Sequence, residues 1–396
     1  MAGNQREMER RERREQREKK HKLIIWAIIA VIVLVLVIMK ICEINVNSIK
    51  NHFTDANGDF TLTDGVAEDN FPYSLDGSQN VTMINANNRI GVLTPNSYTV
   101  LDGKDASADY FFEHGYSNPV LASSGIYSLI YDQGAKKYRL DTLSQSVYEE
   151  EMSTTILCAD VSKNGTVAIA TTSKEKLCDV TVISKALKEE CSFSISSGYV
   201  IDIALNDSSK ELAVAVVNSE NAELITTVYT YSVSSGSSTE TEVRLPSGVL
   251  ADIKYASNHI WTVGDSYLGI IKGAEYVECY AAGTISTKCY DYSQSGDLVL
   301  AYGNYSNSSD CTVSYVKSNG KIKNEFNVSA NVKDISASSA LVTILTSNDI
   351  VSYNIKNGEE KQRVSTAESV KSICRIGSSV FVHRQSVIDR SEGADD

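Results

Sequence analysis

Proline is scarce in this chain, four residues in 396, and the 23 glycines follow no period, so collagen-like and proline-rich architectures are excluded. No Cys-x-x-Cys pair occurs among the eight cysteines, which argues against zinc-ribbon and thioredoxin-type redox sites. There is no nucleophile elbow, phosphate loop or paired-carboxylate motif, and the sequence points to no cofactor, resident metal or catalytic residue. Asp55-Ala56-Asn57-Gly58-Asp59 opens like a calcium loop, but Phe60 and Val66 stand where such a loop needs Gly and Glu, so it reads as a turn. The histidines beyond residue 40 (His52, His114, His259, His383) are scattered, and His114 reads as packing in a connecting loop. Past residue 42 no apolar stripe is sustained at the helical period.

Charge is abundant but unevenly placed. Residues 1–22 carry nine Lys/Arg against five Glu, while the whole chain has a net charge of −13, so the acidic excess lies entirely in the remainder. A large acidic domain repels phosphate backbones, and nucleic acid is not an expected partner. Between the two lies Leu23–Met39, an unbroken apolar run that Lys40, by snorkelling, lets Ile41 and Cys42 extend. At about 1.5 Å per residue a helix of this length comes close to crossing a ~30 Å hydrocarbon core. Trp26 lies near its start, and the run lacks a small-residue cleavage site. The reading is a basic cytoplasmic tail over 1–22, an uncleaved transmembrane helix over 23–42 and a polar stalk over 43–68, with the C-terminal domain extracytoplasmic by the positive-inside rule. The lipid bilayer is thus the first expected partner.

What fills the rest is β-strand signal that repeats. Short runs rich in Val, Ile, Tyr and Thr alternate with Ser/Asn/Gly/Asp turns. Cys158-Ala-Asp160-Val-Ser matches Val200-Ile-Asp202-Ile-Ala, Leu250-Ala-Asp252-Ile-Lys, Cys289-Tyr-Asp291-Tyr-Ser and Val332-Lys-Asp334-Ile-Ser. With weaker copies near Asn80, Asn118 and Val370 the units recur about every 41 residues, the period of a β-propeller with four strands per blade. The first unit reads as strands over 81–85, 89–93, 98–101 and 110–113. The fold expected is all-β: a propeller of seven or eight blades, eight preferred, over 69–390, with an acidic tail at 391–396; a pair of β-sandwiches is the rival. The last unit supplies three strands, and the stretch 70–76 is expected to complete it and close the ring, with Pro72 tolerable on an outer edge.

The repeated aspartates Asp160, Asp202, Asp252, Asp291 and Asp334 are the candidate site. Each is placed at the start of the innermost strand of its unit, so that together they ring the channel mouth. Such a ring either binds a hard cation or a basic partner, or serves structurally, each carboxylate accepting backbone N–H bonds in the next loop. Cys158 and Cys289 share one repeat position with Val200, Leu250 and Val332 and read as small buried hydrophobes; Cys178 and Cys191 could alternatively bridge adjacent strands.

Phe71-Pro-Tyr-Ser-Leu75, His114-Gly-Tyr-Ser-Asn-Pro119, Tyr131-Asp-Gln-Gly134 and Gly165-Thr-Val-Ala-Ile-Ala-Thr171 resemble a family of unknown function, single-pass propeller proteins of clostridial Gram-positive bacteria. The resemblance covers about residues 20–390 and implies architecture and location but no catalytic residues. The units lack the Trp-Asp and Gly-His signatures of the best-known propeller repeats. The expected function is a non-catalytic binding or scaffold module at the outer face of the cell membrane, for an envelope protein or wall polymer. An envelope enzyme with a channel-mouth site, and a sensor signalling through the basic tail, are the alternatives.

Overall fold

The computed structural model describes residues 70–75, 80–234, 239–304, 307–366 and 370–391. Residues 1–69, and with them the expected tail, transmembrane helix and stalk, lie outside the described residues, as do 392–396 of the acidic tail; Ser391 is the last residue of a strand. Among the described residues no helix is long and apolar enough to cross a membrane.

The first blade is built of β2 (Thr82–Ala86), β3 (Arg89–Leu93), β4 (Ser97–Leu101) and β5 (Ala108–Glu113), an antiparallel meander in sequence order. Six more blades repeat it, each opening with an innermost strand: β6 (Pro119–Ser124), β10 (Ile156–Val161), β14 (Tyr199–Leu205), β18 (Leu250–Ala256), β22 (Ser286–Tyr292) and β26 (Asp334–Ala337). These starts fall within two residues of those read from the repeats. The eighth blade joins β30 (Val370–Ile376), β31 (Ser379–Arg384) and β32 (Val387–Ser391) to β1 (Tyr73–Ser74), which pairs antiparallel with β32. The protein is an eight-bladed β-propeller, closed by a strand from its own beginning. Leu75 N–H also bonds the Ser386 carbonyl at 2.8 Å, and Phe71 packs against the Phe381 ring, centroids 5.5 Å apart.

Each blade's second strand is flanked by blades on both sides and is apolar on both faces: β7 (Tyr127–Asp132) and β27 (Leu341–Leu345) are buried throughout. Outer strands alternate, as β25 (Ile322–Val328) does. The core therefore lies between blades. Val180 and Val182 of the third meet Leu212 and Val214 of the fourth, and Trp261 of the fifth is fully buried against Leu298 and Leu300 of the sixth. The Trp261 indole N–H donates to the Gly296 carbonyl at 2.9 Å, satisfying its one polar atom across a junction. At Gly165 (φ +81°) a Cβ would come within 2.9 Å of the Tyr127 ring, so the turn after β10 needs glycine for its conformation and for its fit to the preceding blade.

The antiparallel order gives the ring two faces. On the upper face the innermost strands begin and the second strand of each blade turns into the third. On the lower face the first strand turns into the second. Asn70 and Ser391 both lie on the lower side, near the turn that holds Lys104 and Asp105.

Candidate functional site

The innermost strands run parallel to one another around the axis. Six of them carry a β-bulge or its equivalent near the upper end. The pairing with the second strand skips Leu157, Ile201, Ala251, Lys288 and Lys371, and Lys333 N–H bonds the Leu345 carbonyl just before β26. An extra residue of this kind resets which way every later side chain points.

Counted from the bulge, the five aspartates occupy two levels. Asp202, Asp252 and Asp334 come directly after it, at the level held in neighbouring blades by Cys158, Cys289 and Ser372. Asp160 and Asp291 come two residues later, at the level of Ala204, Lys254, Ser336 and Cys374. Only Asp334 begins its strand. Cys158 and Cys289 do share a position, but it is that of Asp202 rather than of Val200. The repeats align on the bulge and not on the aspartate, a two-residue difference that sequence spacing alone conceals.

The hydrogen bonds follow one rule on both levels. One carboxylate oxygen accepts from the next residue's own N–H; the other reaches the following blade, one residue further down. Asp202 Oδ1 accepts from Ile203 N–H at 2.9 Å and Oδ2 from Ile253 N–H at 2.9 Å. Asp334 likewise joins Ile335 (2.9 Å) to Ile373 (2.8 Å), and Asp291 joins Tyr292 (2.8 Å) to Ala337 (2.7 Å). Asp160 Oδ2 accepts from Leu205 N–H at 2.7 Å. Asp252 instead takes the Tyr292 hydroxyl at 2.7 Å, and its carboxyl neighbours that of Asp202 closely enough to raise it. Each aspartate thus ties its own innermost strand to the next.

Burial raises all five carboxyls, Asp160 and Asp334 to about 6 and Asp202 well above its usual range, with the Asp252 charge adding to the shift at Asp202. Two charged carboxyls side by side repel, so each ionises less readily than it would alone. Lys254, at the level of Asp160 and Asp291, opposes the rise at Asp160, Asp252 and Asp291; its ammonium stands 4.6 Å from the centre of the Tyr292 ring. Lys254 and Tyr292 are the partners that reading the aspartates as a single ring overlooked, although Asp252-Ile253-Lys254 displays the lysine at the spacing of Cys158-Ala159-Asp160. Among the described residues no group of three or more His, Cys, Asp or Glu side chains could hold a metal ion.

A cavity of about 820 Å³ opens from the channel to the lower face, lined by Lys254, Tyr290, Asp291 and Asp334 within and by turn residues such as Asn88 and Gln294 at its rim. The seven described cysteines are free, Cys178 and Cys191 included; they lie opposite Ile195 and Val182 respectively, not opposite each other. His114 lies in the loop between the first two blades, its ring 5.0 Å from that of Tyr116.

The upper face differs in kind. Of eight large hydrophobic residues left exposed among the described ones, five lie there, on the third to fifth blades: Leu177, Tyr199 (71% exposed), Ile201, Leu224 (59%) and Val249 (59%). The fourth blade's second and third strands, β15 (Glu211–Glu220) and β16 (Glu223–Ser232), are ten residues each and carry a hairpin above the sheet. Its two-residue turn, Asn221-Ala222, has both φ values positive, the geometry that matches strand twist. Tyr199 pairs with Val217 and that with Thr226, while Leu224 pairs with Ser219, so Tyr199 and Leu224 share one face of the blade.

The fold and this core define a closed propeller whose carboxylates bind blade to blade. Two solved structures share the architecture: the C-terminal WD40 domain of Sif2 (TM-score 0.57) and Sqt1 of Saccharomyces cerevisiae (TM-score 0.59). Each is 10% identical to this chain, covering 83% of it and the whole of the other, a likeness of fold. The chain belongs to the family of unknown function DUF5711, which matches residues 75–390. No curated protein matches it.

Proposed function

We propose that this chain is a membrane-anchored, extracytoplasmic propeller that acts as a non-catalytic scaffold for a protein partner at the outer face of a Gram-positive cell membrane. The observation that carries the binding role is the grouping of Tyr199, Ile201, Leu224, Val249 and Leu177 on one face of three adjacent blades. Solvent-exposed apolar groups clustered in this way mark interaction surfaces. The channel aspartates support the non-catalytic part, because their oxygens are engaged in holding blades together. The anchor rests on the apolar run 23–42 and the basic residues before it.

Two measurements test the proposal. Protease added to intact cells should digest the propeller and spare the residues before Leu23; protection of the propeller overturns the topology. A photo-reactive amino acid at Leu224 should give discrete protein adducts in cells, and one at Leu187, on the lower face and 45% exposed, should not. Adducts at neither position, or only to lipid or polysaccharide, overturn the protein-binding role.

A further inference from the structure

The bulge residues stand at one equivalent position on six successive innermost strands, at the upper end of the channel. In chain order they are Leu157, Ile201, Ala251, Lys288, Lys333 and Lys371. Five of the six are exposed, Leu157 being half-buried. Half of this rim, on blades three to five, is therefore apolar, and half, on blades six to eight, is lysine. The apolar half continues outward into Tyr199, Leu224 and Val249, since Tyr199 and Leu224 share a face of the fourth blade. The basic half stands out in a chain whose overall charge is −13.

We infer that the upper rim of the channel is a docking surface for an acidic polypeptide segment carrying large apolar side chains, its acidic residues over Lys288 and Lys333 and its apolar ones over Ile201, Tyr199 and Leu224. The inference rests on the protein-binding role proposed above and names its surface and its partner's chemistry. Charge complementarity selects the acidic character, because lysine ammonium groups steer and orient an anionic partner and repel a basic one. The adjoining apolar half selects a polypeptide over a simple polyanion, because a phosphate polymer has nothing to bury against Tyr199 or Leu224. The two chemistries lie side by side on one rim, so an extended segment crossing the channel meets both. The chain's own described ends, Asn70 and Ser391, lie on the lower side, away from this rim.

The full-length chain in detergent is panned against displayed short random peptides at low ionic strength. The enriched pool is expected to combine Asp/Glu with Leu, Ile, Phe or Trp, and its binding to weaken as salt is raised. The double variant Lys288→Glu/Lys333→Glu should weaken the selected peptides about tenfold or more, as should Tyr199→Ser/Leu224→Ser. These positions are exposed, so melting temperature should not change in either variant. Lys210→Glu/Lys356→Glu, at exposed positions on the lower face, should bind as the native chain does. A basic or uncharged pool, or affinity untouched by the Lys288/Lys333 variant, overturns the inference. So does long-chain polyphosphate binding that survives Tyr199→Ser/Leu224→Ser and displaces the peptides. Peptide binding lost only in the lower-face variant overturns this surface but leaves the protein-binding role standing. Absent protein adducts at both Leu224 and Leu187 in cells are what removes that role itself.

Discussion

At the scale of single residues, the channel carboxylates join blades at the cost of being buried. A carboxyl whose pKa is higher in the fold than in the unfolded chain takes up its proton preferentially in the fold. Its charged form opposes folding fully above the folded pKa, and that penalty is relieved as pH falls through it. For Asp160 and Asp334, raised to about 6, the relief spans the window from about 6 down to the ordinary value of 3.8. The melting temperature should therefore be higher near pH 5 than at pH 8. Asp252→Asn keeps an oxygen for the Tyr292 hydroxyl and removes the charge that raises Asp202. It should melt about 2 °C higher than the native chain at pH 8 and show a shallower pH dependence, read by calorimetry across pH. A lower melting temperature at every pH would show that the Asp252 charge does not burden the fold. Asp141 carries the same burden, raised by burial to about 6, but with Arg139 beside it to oppose the rise. Arg139 binds Asp141 at 2.8 and 3.0 Å, hydrogen-bonds the Tyr110 hydroxyl and lies 4.1 Å from the centre of the Phe112 ring, while the Asp141 side chain is fully buried. Arg139→Ala leaves that carboxylate without its cation and should cost ~3–5 kcal/mol in denaturant titration.

At the scale of elements, strand positions were readable in the sequence because each blade repeats one alternation of strand and turn. The recurring units, about 41 residues apart from near Asn80 to Val370, meet the eight innermost strands. The closing strand was legible for the same reason: three strands remained after Val370, and 70–76 resembled a fourth. The bulges were not legible. Leu157, Ile201 and Lys288 look like ordinary strand residues, and nothing in their chemistry announces that the pairing skips them. Aligning on the recurrent aspartate merged two levels into one, and hid both Lys254 and the rim of bulge residues. β1 contributes only two paired residues, Tyr73 with Ile388 and Ser74 with Val387, and buries Leu75 with Ile90 and Ile388. Starting the propeller at Asp76 removes this strand and should lower its melting temperature by several degrees relative to one starting at Asn51, since an edge and an apolar cluster are uncovered together. Equal melting temperatures would show that β1 contributes nothing to closure.

At the scale of the whole molecule, the carboxylate bridges do not go all the way round. They link the third blade to the fourth through Asp160, and continue through Asp202, Asp252, Asp291 and Asp334 to the eighth. The innermost strands β30, β2 and β6 carry no aspartate, so among the described residues the three junctions from the eighth blade round to the third rely on other contacts, such as the Tyr98 hydroxyl bonded to that of Ser128 at 2.7 Å. Local opening should follow this asymmetry. Hydrogen exchange measured by mass spectrometry should be faster for β2 and β6 than for β14 or β26, and uniform protection around the ring would count against a mechanical role for the bridges.

The shortest described strand is also where the preceding chain joins the ring, and that has a consequence under load. Tension transmitted from residues before Asn70 reaches the propeller through Tyr73 and Ser74, whose pairing with β32 has only two rungs. The ring should act as a fuse. Pulled from its two ends, the chain should first release β1 at low force as a small, reversible extension, and lose the bridged blades three to eight only afterwards and at higher force. Single-molecule extension traces would show two separate steps, with deletion of residues 70–75 removing the first.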